Sequence, residues 1–171
     1  PILLKMPMLS ILSSRGCVYK CDYCAYPVYY KSYRLRSPEN VINEIKYLKE
    51  QYGIRAMIFR DPLFTCNRSR AKKIAELLIK EQLNDDFEWA CETRLDFINE
   101  ESVDLFYEAG LRGINVGIES VDPEILKKVD RIPINIDHQN KIIDYCQKKG
   151  IRVAAFYVLG LENDTKESIE K

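Results

Sequence analysis

The chain reads as an α/β domain, a parallel (βα) partial barrel of about five βα units, and three observations lead there. Short apolar runs alternate with stretches whose apolar residues recur every three or four positions. Three of the four periodic stretches open on Ser or Asn and three close on Gly, as helices do. No linker or low-complexity segment breaks the alternation, so all 171 residues read as a single domain. Strands that alternate with helices build a parallel sheet, and right-handed crossovers roll it toward a barrel. Chemistry then gathers at the carboxyl ends of the strands.

The elements follow in order. Met8 to Leu12 is the first apolar run. Ser37-Pro38-Glu39 opens a helix with a hydroxyl cap, a proline in the first turn and an acid at the positive dipole end. Val41, Ile42, Ile45 and Leu48 recur on its inner face, and Gly53 ends it. The second strand is Ala56 to Phe59. A helix from about Asn67 carries Ala71, Ile74, Leu77 and Leu78. Phe87 to Thr93 is the third strand, and Asn99 caps a helix with Val103, Leu105 and Phe106 that Gly110 ends. Gly113 to Ile118 is the fourth strand. A helix from about Asp137 to Lys149, closed by Gly150, leads to a fifth strand, Ile151 to Leu159.

Composition narrows the function class. Lys and Arg total 26 against 26 Asp and Glu, so no overall field draws the chain to nucleic acid or a membrane surface. No apolar run approaches the roughly 18 residues of a membrane span, and no signal peptide is visible. A chain of this length does not need disulfides, so its six cysteines fit a reducing compartment, and the expected address is cytoplasmic.

Three of those cysteines stand in Gly16-Cys17-Val18-Tyr19-Lys20-Cys21-Asp22-Tyr23-Cys24, spaced C-x3-C-x2-C. Three thiolates on one short loop can wrap an iron–sulfur cube and bind three of its four irons. The fourth iron is left open, and an open metal position is where a small molecule reacts. A zinc site completed by a distant residue, or three unrelated thiols, are the alternatives for the triplet. The single histidine, His138, opens a polar helix and reads as a surface residue. Cys66, Cys91 and Cys146 are scattered and read as core filler, with Cys66 nearest the reactive end. Tyr29 to Arg36 is basic and aromatic; it reads as a packed aromatic segment with a solvated basic edge, with an anionic substrate or RNA as the alternative, and gives no clear sign of nucleic-acid binding.

The cysteine motif resembles that of the radical S-adenosylmethionine (radical SAM) enzymes, closest in style to the cobalamin-binding and methylthiotransferase-like branch. There the loop follows the first barrel strand and an aromatic residue, here Tyr23, precedes the last cysteine. The resemblance implies a 4Fe–4S cluster on Cys17, Cys21 and Cys24, whose open iron takes the amino and carboxylate groups of S-adenosylmethionine. It extends along the strand ends. Phe59-Arg60-Asp61-Pro62-Leu63-Phe64 matches a Phe-x-Asp-Asp-x-Phe pattern except at Pro62, and implies that Asp61 holds the cofactor's amine. Trp89-Ala90-Cys91-Glu92-Thr93-Arg94 implies Arg94 near the cofactor's carboxylate, with Glu92 orienting it or meeting the ribose. Strand alternation puts Ala90, Glu92 and Arg94 on one face and Trp89, Cys91 and Thr93 on the other. Gly117-Ile118-Glu119-Ser120 looks like the branch's Gly-Ile-Glu-Ser segment, with Gly117 admitting a flat ligand and Glu119 accepting ribose hydroxyls. Gly160, Leu161 and Thr165 match a segment that lies beside the adenine, without its Pro-Gly pair.

By this resemblance the chain is expected to be a radical SAM enzyme domain. It would cleave S-adenosylmethionine reductively to a 5′-deoxyadenosyl radical and modify an unidentified small or macromolecular substrate. It would use an electron donor of the flavodoxin or ferredoxin type, with room for cobalamin supplied by a domain outside the chain. The alternative is a non-catalytic iron–sulfur or zinc module, an electron carrier or an inert fragment. The family core has six βα units, so the expectation is also of a truncated barrel lacking its C-terminal part.

Overall fold

The computed structural model describes residues 4–170. Its elements are β1 (Met8–Ile11), β2 (Ser14–Arg15), α1 (Tyr26–Tyr29), β3 (Arg34–Leu35), α2 (Pro38–Tyr52), β4 (Ala56–Phe59) and α3 (Arg68–Lys80). Then come β5 (Glu88–Thr93), a 3-10 turn at Leu95–Phe97, α4 (Glu100–Glu108), β6 (Leu111–Glu119), α5 (Pro123–Lys128), α6 (Ile136–Lys148), β7 (Arg152–Tyr157) and α7 (Lys166–Ile169). Five strands form one parallel sheet in the order β1-β4-β5-β6-β7. Neighbours in space are neighbours in the chain's βα sequence, which is the partial barrel the alternation predicts.

The caps form where the sequence puts them. The Ser37 side chain accepts from the Asn40 amide, Asn67 from Arg70, and Asn99 forms a capping box with Ser102. Gly53 closes α2 at φ 58°, a conformation that costs glycine least. Val41, Ile42 and Ile45 of α2, Ile74 and Leu78 of α3, Phe106 of α4 and Ile142 of α6 pack against one face of the sheet. At its centre Phe59, Phe64, Trp89 and Phe106 form an aromatic nucleus. Ring centroids are 4.6 Å apart for Phe59–Phe64 and 5.8 Å for Trp89–Phe106. The Trp89 indole also donates to the Ala109 carbonyl at 2.9 Å. All four residues of β4 are buried, as expected for a central strand covered on both faces. β7 is an edge strand, with Phe156 and Tyr157 more than half exposed.

Four short elements escape the sequence reading, β2, β3, α1 and α5. The two-residue strands β2 and β3 pair antiparallel, and only tertiary contact makes them a ribbon. The single-turn α1 follows the cysteines. α5 has the same signature as α2, an Asp122 cap followed by Pro123 and Glu124, and was readable by the same rule. The 29–36 segment is not a packed aromatic stretch throughout: Tyr29 is 77% exposed. His138 is half-buried rather than on the surface, its ring 3.1 Å from the Leu95 carbonyl. Cys91 and Cys146 are buried in the core, as expected. No helix among the described residues is long and apolar enough to cross a membrane.

Candidate active site

The cysteine loop runs from Gly16 to Ala25, between β2 and α1. Gly16 sits at φ 83°, and a Cβ there would collide with the Ser32 carbonyl, so glycine lets the loop begin this close to the segment entering β3. Cys21 is buried, Cys17 and Cys24 are half-buried, and all three are free thiols. The loop is tied down by Cys24 N–H to the Cys21 carbonyl at 2.9 Å and by Asp22 N–H to the Val129 carbonyl at 3.0 Å. Burial pushes the Cys17 thiol up, partly opposed by the Tyr19 amide that donates to its sulfur at 3.4 Å. A metal must therefore displace a proton to bind there.

The loop forms one wall of a cavity of about 370 Å³ at the carboxyl ends of the strands. Cys17, Cys21, Cys24, Tyr19 and Tyr23 supply that wall. Glu92, Thr93 and Arg94 enter from the end of β5, and Phe156 from β7. Asn115, Gly117 and Glu119 enter from β6, every second residue, because side chains alternate along a strand. Arg131 closes the side, from the segment between α5 and α6.

Two buried arginines set the electrostatics. Arg94, 3% exposed, forks onto Asp96 with Nε–Oδ1 at 3.1 Å and Nη2–Oδ2 at 2.9 Å. Its Nη2 also donates to the Ile132 carbonyl at 2.9 Å, and Tyr19 lies 4.9 Å from the guanidinium. Its buried Nη1 has no partner. A guanidinium N–H left dry and unpaired is costly, and a bound anion would satisfy it. Arg131, 8% exposed, donates to the Tyr23 hydroxyl at 3.1 Å and to the Gly117 carbonyl, and stands 3.6 Å from Glu119. Burial raises the Glu119 carboxyl, with the Arg131 charge opposing. The Tyr23 phenol is pushed well above its ordinary value by burial, again against Arg131.

Eight of the residues singled out from sequence meet in this cavity: Cys17, Cys21, Cys24, Tyr23, Glu92, Arg94, Gly117 and Glu119. Two do not. Asp61 is fully buried away from it, with Oδ2 accepting from Ser13 Oγ and Oδ1 from the Ser14 amide, both at 2.5 Å. The turn after β4 aims this carboxylate at the strand of residues that feeds the cysteine loop, so it staples that loop rather than facing a ligand amine. Gly160 lies outside the cavity, in a turn where its amide donates to Asp164 at 2.8 Å. Two finer expectations also change. Glu92 does not orient Arg94; it pairs with Arg60 at 2.6 Å, because β4 runs beside β5 and sets Arg60 against it. The space over Gly117 is filled by the Glu119 carboxylate and the Arg131 guanidinium, which a Cβ would strike. Arg131 itself was missed, since a lone arginine between two helices carries no local pattern.

The donors suit an iron–sulfur cube. Three free thiols border one cavity, and a cube takes each thiolate on a separate iron. Among the described residues no three His, Cys, Asp or Glu side chains are drawn together around one ion. The unpaired Arg94 Nη1 leaves a donor for an anionic group beside the loop.

Comparison with known proteins agrees. The Radical SAM superfamily model matches residues 11–171. An uncharacterised methyltransferase of Pyrococcus horikoshii is 30% identical over 168 residues, covering 96% of this chain and 36% of that protein. The hopanoid C-2 methylase of Rhodopseudomonas palustris is 35% identical over 171 residues, covering 94% of this chain and 31% of the methylase. A solved structure of the radical S-adenosylmethionine methyltransferase TsrM from Kitasatospora setae, with cobalamin and a [4Fe-4S] cluster bound, superposes with a TM-score of 0.87 at 25% identity. It covers 95% of this chain and 33% of that one. The chain thus spans about a third of the length of the curated relatives it matches. With the cysteine loop, the strand-end cavity and the family match in agreement, this chain belongs to the radical SAM superfamily.

Proposed function

We propose that this chain is the single core domain of a radical SAM enzyme, holding a 4Fe–4S cluster on Cys17, Cys21 and Cys24 and S-adenosylmethionine in the adjoining cavity. The observation that carries it is the meeting of three free thiols with the buried Arg94 and Glu119 around one cavity. Held by Cys17, Cys21 and Cys24, such a cluster would supply the single electron needed for reductive cleavage of S-adenosylmethionine. The chain's own residues bind and orient. Arg94 offers Nη1 to the cofactor's carboxylate while Asp96 holds the rest of its fork. Glu119 accepts ribose hydroxyls at the end of β6, with Arg131 compensating its charge. Arg131 also clamps Tyr23, and so the cysteine loop, to β6. Asp61 acts at one remove, by fixing Ser13 and Ser14 ahead of the loop.

The methyltransferase relatives and the cobalamin-bound neighbour favour methyl transfer by the longer protein, with cobalamin held by parts outside this chain. A one-electron donor of the flavodoxin or ferredoxin type would reduce the cluster. Six free cysteines suit a reducing, cytoplasmic setting. Electron paramagnetic resonance on anaerobically reconstituted, reduced protein tests the reading. A 4Fe–4S signal that changes on adding S-adenosylmethionine is expected, and Cys21→Ala should abolish it. A cluster indifferent to the cofactor would favour an electron carrier, and absence of any cluster would return the cysteines to zinc or plain structure.

A further inference from the structure

The β2–β3 ribbon contains an arrangement that the cofactor chemistry does not use. Arg15 and Arg34 stand directly opposite each other in its register. Directly opposed residues share a face, and like charges there repel. Both arginines are exposed, and neither side chain has a hydrogen bond or ion pair to any described residue. Arg36, next along, is already engaged: it donates to the Leu12 carbonyl at 2.9 Å and pairs with Glu44 at 2.5 Å. The ribbon therefore holds two uncompensated positive charges. Around it the bias continues: residues 15–36 contain five Lys or Arg (Arg15, Lys20, Lys31, Arg34, Arg36) and one acid, Asp22, in a chain of zero net charge.

The space beside the pair has a definite shape. Arg15, Arg34, Arg36, Leu35 and Glu44 line a cleft of about 520 Å³. Arg15, Arg36 and Glu44 also line a neighbouring cleft of about 970 Å³, whose other walls include Tyr26, Tyr29 and Tyr30. The two clefts thus meet at Arg15, Arg36 and Glu44, the last already paired with Arg36, while Arg34 lines the first cleft alone. Tyr26 and Tyr30 stack at 5.8 Å, and Tyr29 stands 77% exposed at the rim.

We propose that this ribbon is a binding site for a phosphomonoester, gripped by Arg15 and Arg34, with the organic part of the ligand lying against the tyrosines. Charge selects the anion. One carboxylate would neutralise one arginine, whereas a phosphomonoester carries about −1.5 to −2 at neutral pH and offers three acceptor oxygens to two planar forks. The tyrosine-lined cleft selects a ligand with a flat ring attached to that phosphate.

Calorimetric titration of the chain with adenosine monophosphate, inorganic phosphate and adenosine tests the proposal, beside melting curves in phosphate and chloride at equal ionic strength. Adenosine monophosphate should bind most tightly, phosphate more weakly, and adenosine not measurably. Arg34→Ala should weaken adenosine monophosphate by about tenfold, the factor one lost charge-assisted contact carries. Arg34→Glu separates binding from folding. It places an opposite charge across from Arg15, so this variant should melt no lower than the parent while losing the extra stabilisation by phosphate. Equal stabilisation by phosphate and chloride in the parent would overturn the proposal, as would retention of the phosphate effect in Arg34→Glu. A single-stranded oligonucleotide that binds where both phosphate probes fail would also overturn it, and assign the face to nucleic acid.

Discussion

The two faces of the same strands do opposite work. Toward the helices, Phe59, Trp89, Cys91, Ile114 and Val116 are all at most 1% exposed and form the sheet's side of one apolar core. At the carboxyl ends, Glu92, Arg94, Asn115 and Glu119 line a polar cavity. The first face gains from area removed from water, which tolerates no gap; the second consists of charges that need partners. A substitution on one face should therefore fail through lost packing, and on the other through an uncompensated charge.

The sharpest break of that contrast is Trp89→Ala. The indole is fully buried between Phe59, Phe64 and Phe106, so its removal should cost about 3–5 kcal/mol in urea unfolding. A cost under about 1 kcal/mol would mean that the aromatic nucleus is not the anchor of the sheet. Next comes Arg131→Ala on the cavity side, which leaves Glu119 buried without its counter-charge and Tyr23 without its donor. About 2 kcal/mol is expected, less than for a wholly dry pair because both side chains keep some solvent. Adding Glu119→Gln should return part of that loss; no recovery in the double variant would show that the two residues do not compensate each other.

The smallest effect is expected at Asp61, which belongs to neither face. Burial raises its carboxyl above the ordinary range, against the hydrogen bonds from Ser13 and Ser14. A raised native pKa gives a stabilising contribution that is complete below the unfolded value, about 3.9, and is lost as pH rises through the native value. Asp61→Asn removes that titration at a cost of about 1 kcal/mol. The stability of the parent relative to this variant should therefore be greater near pH 4 than near pH 7. The opposite trend would mean that the charged form is the one the fold prefers.

How much could be read without coordinates differs between these regions. The five strands of the parallel sheet, the caps of α2, α3 and α4, and the cysteine loop all follow from patterns a few residues long. α5 carries the same cap signature, Asp122 followed by Pro123 and Glu124. The cavity was half readable, because alternation on β6 already puts Asn115, Gly117 and Glu119 on one side. What resisted was the choice of partners. Glu92 found Arg60 through the β4–β5 register, and Arg94 found Asp96 through a 3-10 turn.

The sequence by itself determined the parallel βα order, the helix limits and the placing of three thiols on one loop, since each depends on local spacing, capping and side-chain alternation. Tertiary structure alone decided that Asp61 would staple the loop, that Gly160 would lie outside the cavity, and that Arg131 would reach Tyr23 across 108 residues. The reason is physical. Periodicity reports which face a residue occupies, but the partner of a buried charge is set by strand register and by how segments far apart in the chain come to pack.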